Sequence, residues 1–304
     1  MGLAADAAAG SAVVSSAVVN GAAGASPAVL AATLSAACAH AAWNSIAHGI
    51  KDKVASFTLV SLGGMICSAP LVLLAAAPSS RCWGYLAVSA VLHIVYTVLL
   101  MVSYRLGDFS QTYPLARGTS PLAVLFLAGV LASEWPAAGQ LAGVALICAG
   151  LGTLVLSGRR TGGYDKRAIL AAVATGLAIA GYTTVDGLGV RLSGSVAGYT
   201  GWLMLLETAA VPIAAVAVRR GQLLPALRPV WHIGLLGGAL SVLAYGLVLW
   251  AQTRGALATV AALRESSIVV AAIIGSVFFH ERFGWARITA AACVVAGIAV
   301  LYLA

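Results

Sequence analysis

Long apolar stretches separated by short polar ones run through almost the whole chain. A helix needs about 20 mostly apolar residues to cross the hydrocarbon core of a bilayer. Ten stretches meet that length: 28–50, 55–77, 82–104, 109–133, 137–157, 168–190, 197–218, 231–253, 256–279 and 285–304. The connections between them are too short to hold a soluble domain. The pattern therefore predicts an all-α membrane protein with ten transmembrane helices.

The composition agrees with this prediction. Of the 304 residues, 61% are hydrophobic and 9% are charged, whereas a soluble domain has about 45–50% apolar and about 25% charged residues. The net charge of +8 does not indicate nucleic-acid binding, because the basic residues lie at the ends of apolar stretches. The five cysteines have no CxxC spacing, so we interpret them as buried apolar residues.

Two segments fall outside the apolar stretches. Residues 1–27 are mostly Ala, Gly, Ser and Val and lack the basic start of a signal peptide. They are predicted to be a disordered tail, and an extra helix over residues 3–24 is the alternative. Residues 158–167 form a basic linker loop, which divides the chain into one unit over 28–157 and a second over 168–304.

The two units resemble each other in sequence. A shift of 147 residues aligns Arg117 with Arg264 and Glu134 with Glu281. The same shift aligns four further identical pairs: Thr112/Thr259, Ser120/Ser267, Ala149/Ala296 and Gly150/Gly297. Because each unit has five stretches, the second unit must enter the membrane from the opposite side. The expected fold is therefore two inverted five-helix repeats, with a site near mid-membrane between them, as in many secondary transporters.

Lysine and arginine counts predict the orientation. Segments that follow odd-numbered stretches carry twelve of these residues, and segments that follow even-numbered stretches carry three. The positive-inside rule puts the twelve in the cytoplasm and both termini outside. An extra helix over 3–24 would move the N-terminus inside. The expected location is the cell (inner) membrane, as a multi-pass protein surrounded by lipid.

Three motifs resemble the EamA-type drug/metabolite transporter superfamily. They are His40-Ala-Ala-Trp43-Asn44, Tyr113-Pro114-Leu115-Ala116-Arg117-Gly118 and Ala262-Leu263-Arg264-Glu265-Ser266-Ser267. Glu134 and Glu281, which end their helices, add to the resemblance, and it covers residues 28–304. It implies a ten-helix fold, a central cavity and transport of small metabolites. The family is often drawn with both termini in the cytoplasm, which the charge count contradicts.

Five acidic or arginine residues lie well inside the apolar stretches, where they should face a cavity or a partner and not lipid: Arg117, Asp186, Glu207, Arg264 and Glu265. Arg117 and Arg264 are predicted to line the cavity and bind a carboxylate or phosphate, because the guanidinium group makes two parallel hydrogen bonds to such groups. The alternative is that each arginine pairs with an acid and fixes helix packing. Since the acids outnumber the arginines, Glu265 or Asp186 is predicted to carry a proton, while Glu207 suits a structural role equally well.

Further polar side chains complete the candidate substrate site. They are Trp43, Asn44, Tyr96, Tyr113, Ser120, Tyr182, Tyr245 and Ser267. Aromatic rings with a polar tip suit a pocket for organic solutes, although helix packing accounts for each ring equally well. Pro114 removes a backbone hydrogen bond, which either opens the backbone to a ligand or leaves a packing kink. No metal is expected, because the five histidines lack ligand spacing.

The predicted function is secondary transport of small organic metabolites, as an exporter or a permease, with proton coupling as an option. The alternative is a channel or a non-transporting integral membrane subunit. No enzyme activity, cofactor or nucleic-acid partner is expected, and no GxxxxGK[ST] phosphate loop is present. Gly139 and Gly143 form a GxxxG, which we interpret as helix packing within the fold, with a homodimer contact as the alternative.

Overall fold

The computed structural model describes residues 26–106, 109–157, 165–270, 273–274 and 284–303. These residues form helices and turns, with no strand among them. The helices are α1 Pro27–Gly49, α2 Lys53–Leu74, α3 Trp83–Leu106, α4 Phe109–Ala132, α5 Ala138–Ser157, α6 Lys166–Ser193, α7 Val196–Arg219, α8 Leu223–Leu227, α9 Trp231–Gln252, α10 Leu257–Arg264 and α11 Trp285–Leu303. The predicted tail up to residue 25, the alternative helix over 3–24, linker residues 158–164 and Glu281 lie outside the described residues.

Nine of the ten predicted stretches coincide with a long helix in the described part of the chain. The exception is 256–279, where α10 ends at Arg264, a turn follows at Glu265 and Ser266, and helix resumes at Ser267. Ten continuous spans are therefore not confirmed, and part of that stretch lies outside the described residues. Within the described ranges, six helical segments are long and apolar enough to cross a membrane: Lys53–Leu74, Ser80–Ser103, Thr112–Ala132, Ala138–Leu156, Lys166–Ser193 and Val196–Gln252.

Polar side chains at the helix starts explain how the chain turns within a few residues. Ser26 caps α1, and Asp52 accepts two backbone N–H groups of α2 at 3.0 and 3.1 Å. Asp165 and Ser195 cap α6 and α7 in the same way. Such caps satisfy amide groups that have no partner inside the helix. Gly194, with φ of 71°, ends α6 in the left-handed region, which glycine adopts without strain.

The helices pack mainly across the two halves of the chain. α1 packs with α9, α2 with α7, α3 with α6 and α5 with α11, while α4 packs against α5 and α6. Glycines allow the closest approaches: a Cβ on Gly238 of α9 would overlap the backbone of Gly64 and Val60 in α2. Gly143 of α5 likewise faces Gly297 of α11, which agrees with a packing role within the fold for the GxxxG. Small residues are typical of helix contacts in lipid, where close packing drives association.

Large apolar side chains cover the outside of the bundle. Leu73, Phe126, Trp285 and Leu303 are each more than half exposed. A soluble monomer rarely exposes so much contiguous apolar surface, whereas lipid solvates it readily. The chain is therefore a multi-pass membrane protein. Which cell membrane it occupies stays a prediction.

Candidate functional site

A buried ion pair joins the first half of the chain to the second. Arg117 of α4 lies with its Nε 2.8 Å from Oε2 of Glu265, which follows α10. The Nη2 of Arg117 donates to Oγ of Ser267 at 3.0 Å. The two charged side chains are only 7% and 1% exposed. The protein itself thus supplies an acid for the Arg117 charge, as the structural alternative for the arginines expects, although Nε makes no hydrogen bond among the described residues.

The second arginine is left without such partners. Arg264 is the last residue of α10 and is 4% exposed. Its Nε and Nη2 have no hydrogen-bond partner among the described residues, and neither has the buried Oγ of Ser120. Burying an unpaired charge is costly. This guanidinium edge is therefore a candidate site for an external anion.

The helix is interrupted at the same place. The backbone N–H of Glu265 donates to the carbonyl of Ala262 at 3.0 Å, and that of Ser266 donates to the carbonyl of Leu263 at 3.1 Å. These bonds span three residues where an α-helix spans four, so the turn is tighter. Interrupted backbone at membrane depth is tolerated where it lines a cavity or is buried in protein.

No proline marks the interruption: position 261, which the shift of 147 residues aligns with Pro114, is alanine. α4 runs without a break through both Pro114 and Pro121. The helix therefore continues past Pro114, and whether the missing hydrogen bond there serves a ligand or only a packing kink stays a prediction. Residues 257–270 contain no proline, so no local sequence signal marks the turn at Glu265.

A second buried cluster surrounds Asp186 of α6. Its Oδ1 accepts the hydroxyl of Tyr199 at 3.1 Å, and its Oδ2 accepts the hydroxyl of Tyr245. No ion pair reaches this carboxylate in the described part of the chain. Nearby, His93 of α3 lies with its Nε2 2.9 Å from Oε2 of Glu207 in α7. Asp186 and Glu207 therefore both lack an arginine partner among the described residues, and Asp186 also lacks a salt bridge there.

The ring of Tyr182 connects the two clusters. It stacks on His93 at 4.0 Å between ring centroids and meets Tyr96 edge-on at 5.6 Å. It also interacts electrostatically with Arg264, Arg117, Glu207 and Asp186. Tyr113 lies beside Arg117, whose guanidinium carbon is 6.0 Å from the ring centroid. Ring contacts and electrostatic interactions thus link Tyr182 to Tyr96, to His93 and to both arginines.

The polar atoms of Trp43 and Asn44 are used inside their own helix. The Nε1 of Trp43 donates to Nδ1 of His40 at 3.2 Å, and the Nδ2 of Asn44 donates to the His40 carbonyl at 2.8 Å. His40 itself interacts electrostatically with Arg117 and Arg264. α1 therefore faces the arginines through His40. Substrate contacts by Trp43 and Asn44 stay predictions.

Two pairings escaped the sequence analysis. Glu134, which the sequence analysis places at a helix end, has a side chain that is 10% exposed and forms an ion pair with Arg191. Its Oε2 accepts the backbone N–H of Leu257 at 2.8 Å and so caps α10. The His93–Glu207 pair was missed because the two residues are 114 positions apart. For the Glu134–Arg191 pair, the sequence signal was the alignment of Glu134 with Glu281.

Comparison with known proteins supports the resemblance stated from the motifs. Residues 166–303 match the family model of the EamA-like transporter family. No curated protein matches the chain. Among solved structures, 28 chains match. One is a crystal structure that is 18% identical, with a TM-score of 0.67, and the match covers 90% of this chain and 98% of that one. At that identity the likeness shows the fold alone.

Proposed function

We propose, from the match of residues 166–303 to the model of the EamA-like transporter family, that this chain is a secondary transporter of small organic metabolites. Its substrate site lies where α4 and the interruption after α10 meet. The observation that carries the proposal is the group of buried charges at that interruption, inside a bundle whose outer surface is apolar. Discontinuous helices with polar residues near mid-membrane are typical of secondary-transporter sites.

The helix pairs are consistent with two inverted repeats. If α1 to α5 correspond to α6, α7, α9, α10 and α11, the contact of α1 with α9 corresponds to that of α6 with α3. The same correspondence exchanges α2 with α7 and α5 with α11, so each of these two contacts is mapped onto itself. A pseudo-two-fold arrangement of this kind supports alternating access, because the two halves rock around a shared central site.

Proton coupling is proposed at Asp186, with Glu265 as the second candidate. Asp186 is fully buried and is held by two tyrosine hydroxyls in place of a cation. No salt bridge joins Asp186 to a basic side chain in the described part of the chain, so a proton could bind there without breaking one. Glu265 forms an ion pair with Arg117, which protonation of Glu265 would break. Asp186 is therefore the better placed of the two to bind and release a proton.

The transport proposal is tested with the purified full chain in liposomes. Vesicles loaded with a metabolite mixture are placed in the same mixture carrying an isotope label, and mass spectrometry follows the entry of each label. We expect saturable entry of a subset of solutes that is accelerated by the unlabelled solute inside. Entry that neither saturates nor responds to internal solute would indicate a channel. No entry above that in protein-free vesicles would contradict transport altogether.

The coupling proposal is tested with Asp186→Asn and Glu265→Gln in the same vesicles. We expect Asp186→Asn to abolish accumulation driven by a pH gradient but to retain exchange without a gradient. The amide keeps the shape and one acceptor oxygen for the tyrosines, so folding should survive. Gradient-driven accumulation at the wild-type level in both variants would refute proton coupling at these acids.

A further inference from the structure

Resting on the proposed function, we infer that the transported solute carries a carboxylate or phosphate group that binds side-on to Arg264. The inference names a class of substrate for the site between α4 and α10. It also separates the roles of the two arginines. Arg117 organises the site through the protein's own acid, and Arg264 receives the solute.

The free atoms of Arg264 are the right pair for such a group. Nε and Nη2 lie on the same edge of the guanidinium plane, the edge that donates two parallel hydrogen bonds to a carboxylate or phosphate. Both are buried and lack a partner among the described residues. The corresponding atoms of Arg117 both face protein groups: Nε lies in an ion pair with Glu265, although without a hydrogen bond, and Nη2 donates to Ser267. Arg117 thus shows that this edge can face a carboxylate. The same edge of Arg264 has no bound group among the described residues.

The sequence repeat explains why only one arginine has an internal acid. The shift of 147 residues that aligns Arg117 with Arg264 pairs Glu265 with Gly118. Glycine has no side chain, so the first half offers no equivalent carboxylate. Ser120, the counterpart of Ser267, is present and buried, with its Oγ unpartnered. A solute anion therefore supplies the group that position 118 lacks.

The charges around the site favour an anion. Arg117, Arg264 and Glu265 together carry one net positive charge in a region shielded from water. His40 from α1 and Tyr182 from α6 are the further titratable groups that interact with Arg264. A monovalent anion would neutralise the group, whereas a neutral or cationic solute would leave a buried guanidinium unpaired. Tyr182 and its neighbour Tyr96 add ring surface for the organic part of the solute.

The first test needs no ligand. We expect Arg264→Gln, without added solute, to melt at or above the wild-type temperature in detergent, because the substitution removes an unpaired buried charge. Arg228→Gln is the matched control, since Arg228 is exposed and the substitution changes the charge by the same amount. A melting temperature clearly below that of the wild type and the control would make Arg264 structural and overturn the inference.

The second test uses matched probes on the full chain in nanodiscs. The pairs are phenylacetate with phenylacetamide, and glycerol 3-phosphate with glycerol, within a wider panel of acids and their amides; choline is the cation. We expect anionic members alone to raise the melting temperature, through preferential binding to the folded state. Their affinity should fall about 100-fold in Arg264→Gln and about 10-fold in Arg264→Lys, which keeps the charge but loses the two-pronged geometry.

The outcomes separate this inference from the transport proposal. If only carboxylates, or only phosphates, raise the melting temperature, that result identifies the anion that binds Arg264. Exchange across vesicles of neutral or cationic solutes only, or anion binding with equal affinity in Arg264→Gln, would overturn the anion site and leave transport standing. If no member of the panel binds and no solute exchanges in the metabolite mixture, both proposals fall.

Discussion

The Arg117–Glu265 pair yields a quantitative prediction about buried charge. With an effective dielectric constant of about 20, two unit charges 2.8 Å apart attract by roughly 6 kcal/mol before desolvation is counted. Removing one member of a buried pair typically costs about 3–5 kcal/mol, whereas replacing both by apolar groups is often nearly neutral. We expect the loss of stability in Glu265→Met to be at the upper end of that range, because the substitution leaves Arg117 and Arg264 buried with no acid beside them. Arg117→Met should lie at the lower end, because Arg264 still interacts with Glu265.

The double variant Arg117→Met/Glu265→Met should recover most of the lost stability, to within about 2 kcal/mol of wild type. The assay is the free energy of unfolding in mixed micelles titrated with denaturing detergent. The control is Arg219→Met, which breaks the 3.1 Å contact with Asp52 between side chains that are 35% and 33% exposed. That change should cost about 1 kcal/mol or less. A double variant that loses the sum of the two single losses would refute the reasoning.

Two further predictions follow from helix packing and capping. Gly238→Val should abolish the monodisperse peak of folded protein in size-exclusion chromatography, because the new side chain would overlap the backbone of α2. Gly152→Ala is the control and should leave the peak unchanged, because the space around Gly152 is open. A wild-type peak and melting temperature for Gly238→Val would contradict the close approach. Glu134→Gln should cost about 3 kcal/mol in the same unfolding assay, because it leaves Arg191 without its acid. It also replaces the charged cap of α10 with a weaker one. An effect no larger than that of Arg219→Met would show that the cap is dispensable.

The membrane class and nine long helices could be predicted from the sequence because bilayer thickness imposes a length on every span. The cost of burying charge likewise restricts Lys and Arg to the ends of apolar stretches. The same cost made Arg117, Arg264, Asp186 and Glu265 candidates before any contact was known. Helix ends were also accessible, since Ser26, Asp52 and Ser195 are typical caps.

Only the tertiary structure decides which charged side chains form ion pairs. Which arginine binds Glu265 depends on how α4 packs beside the chain after α10, and residue spacing carries no information about contacts between positions 148 apart. The turn at Glu265 arises without proline or glycine, so local propensity does not announce it. The sequence by itself therefore determined that charges must lie inside the bundle, because a lipid-soluble exterior leaves them no other place. The packing of the helices decided that Arg117 is neutralised and that Arg264 keeps a free edge, because an ion pair forms only where two side chains from different helices meet.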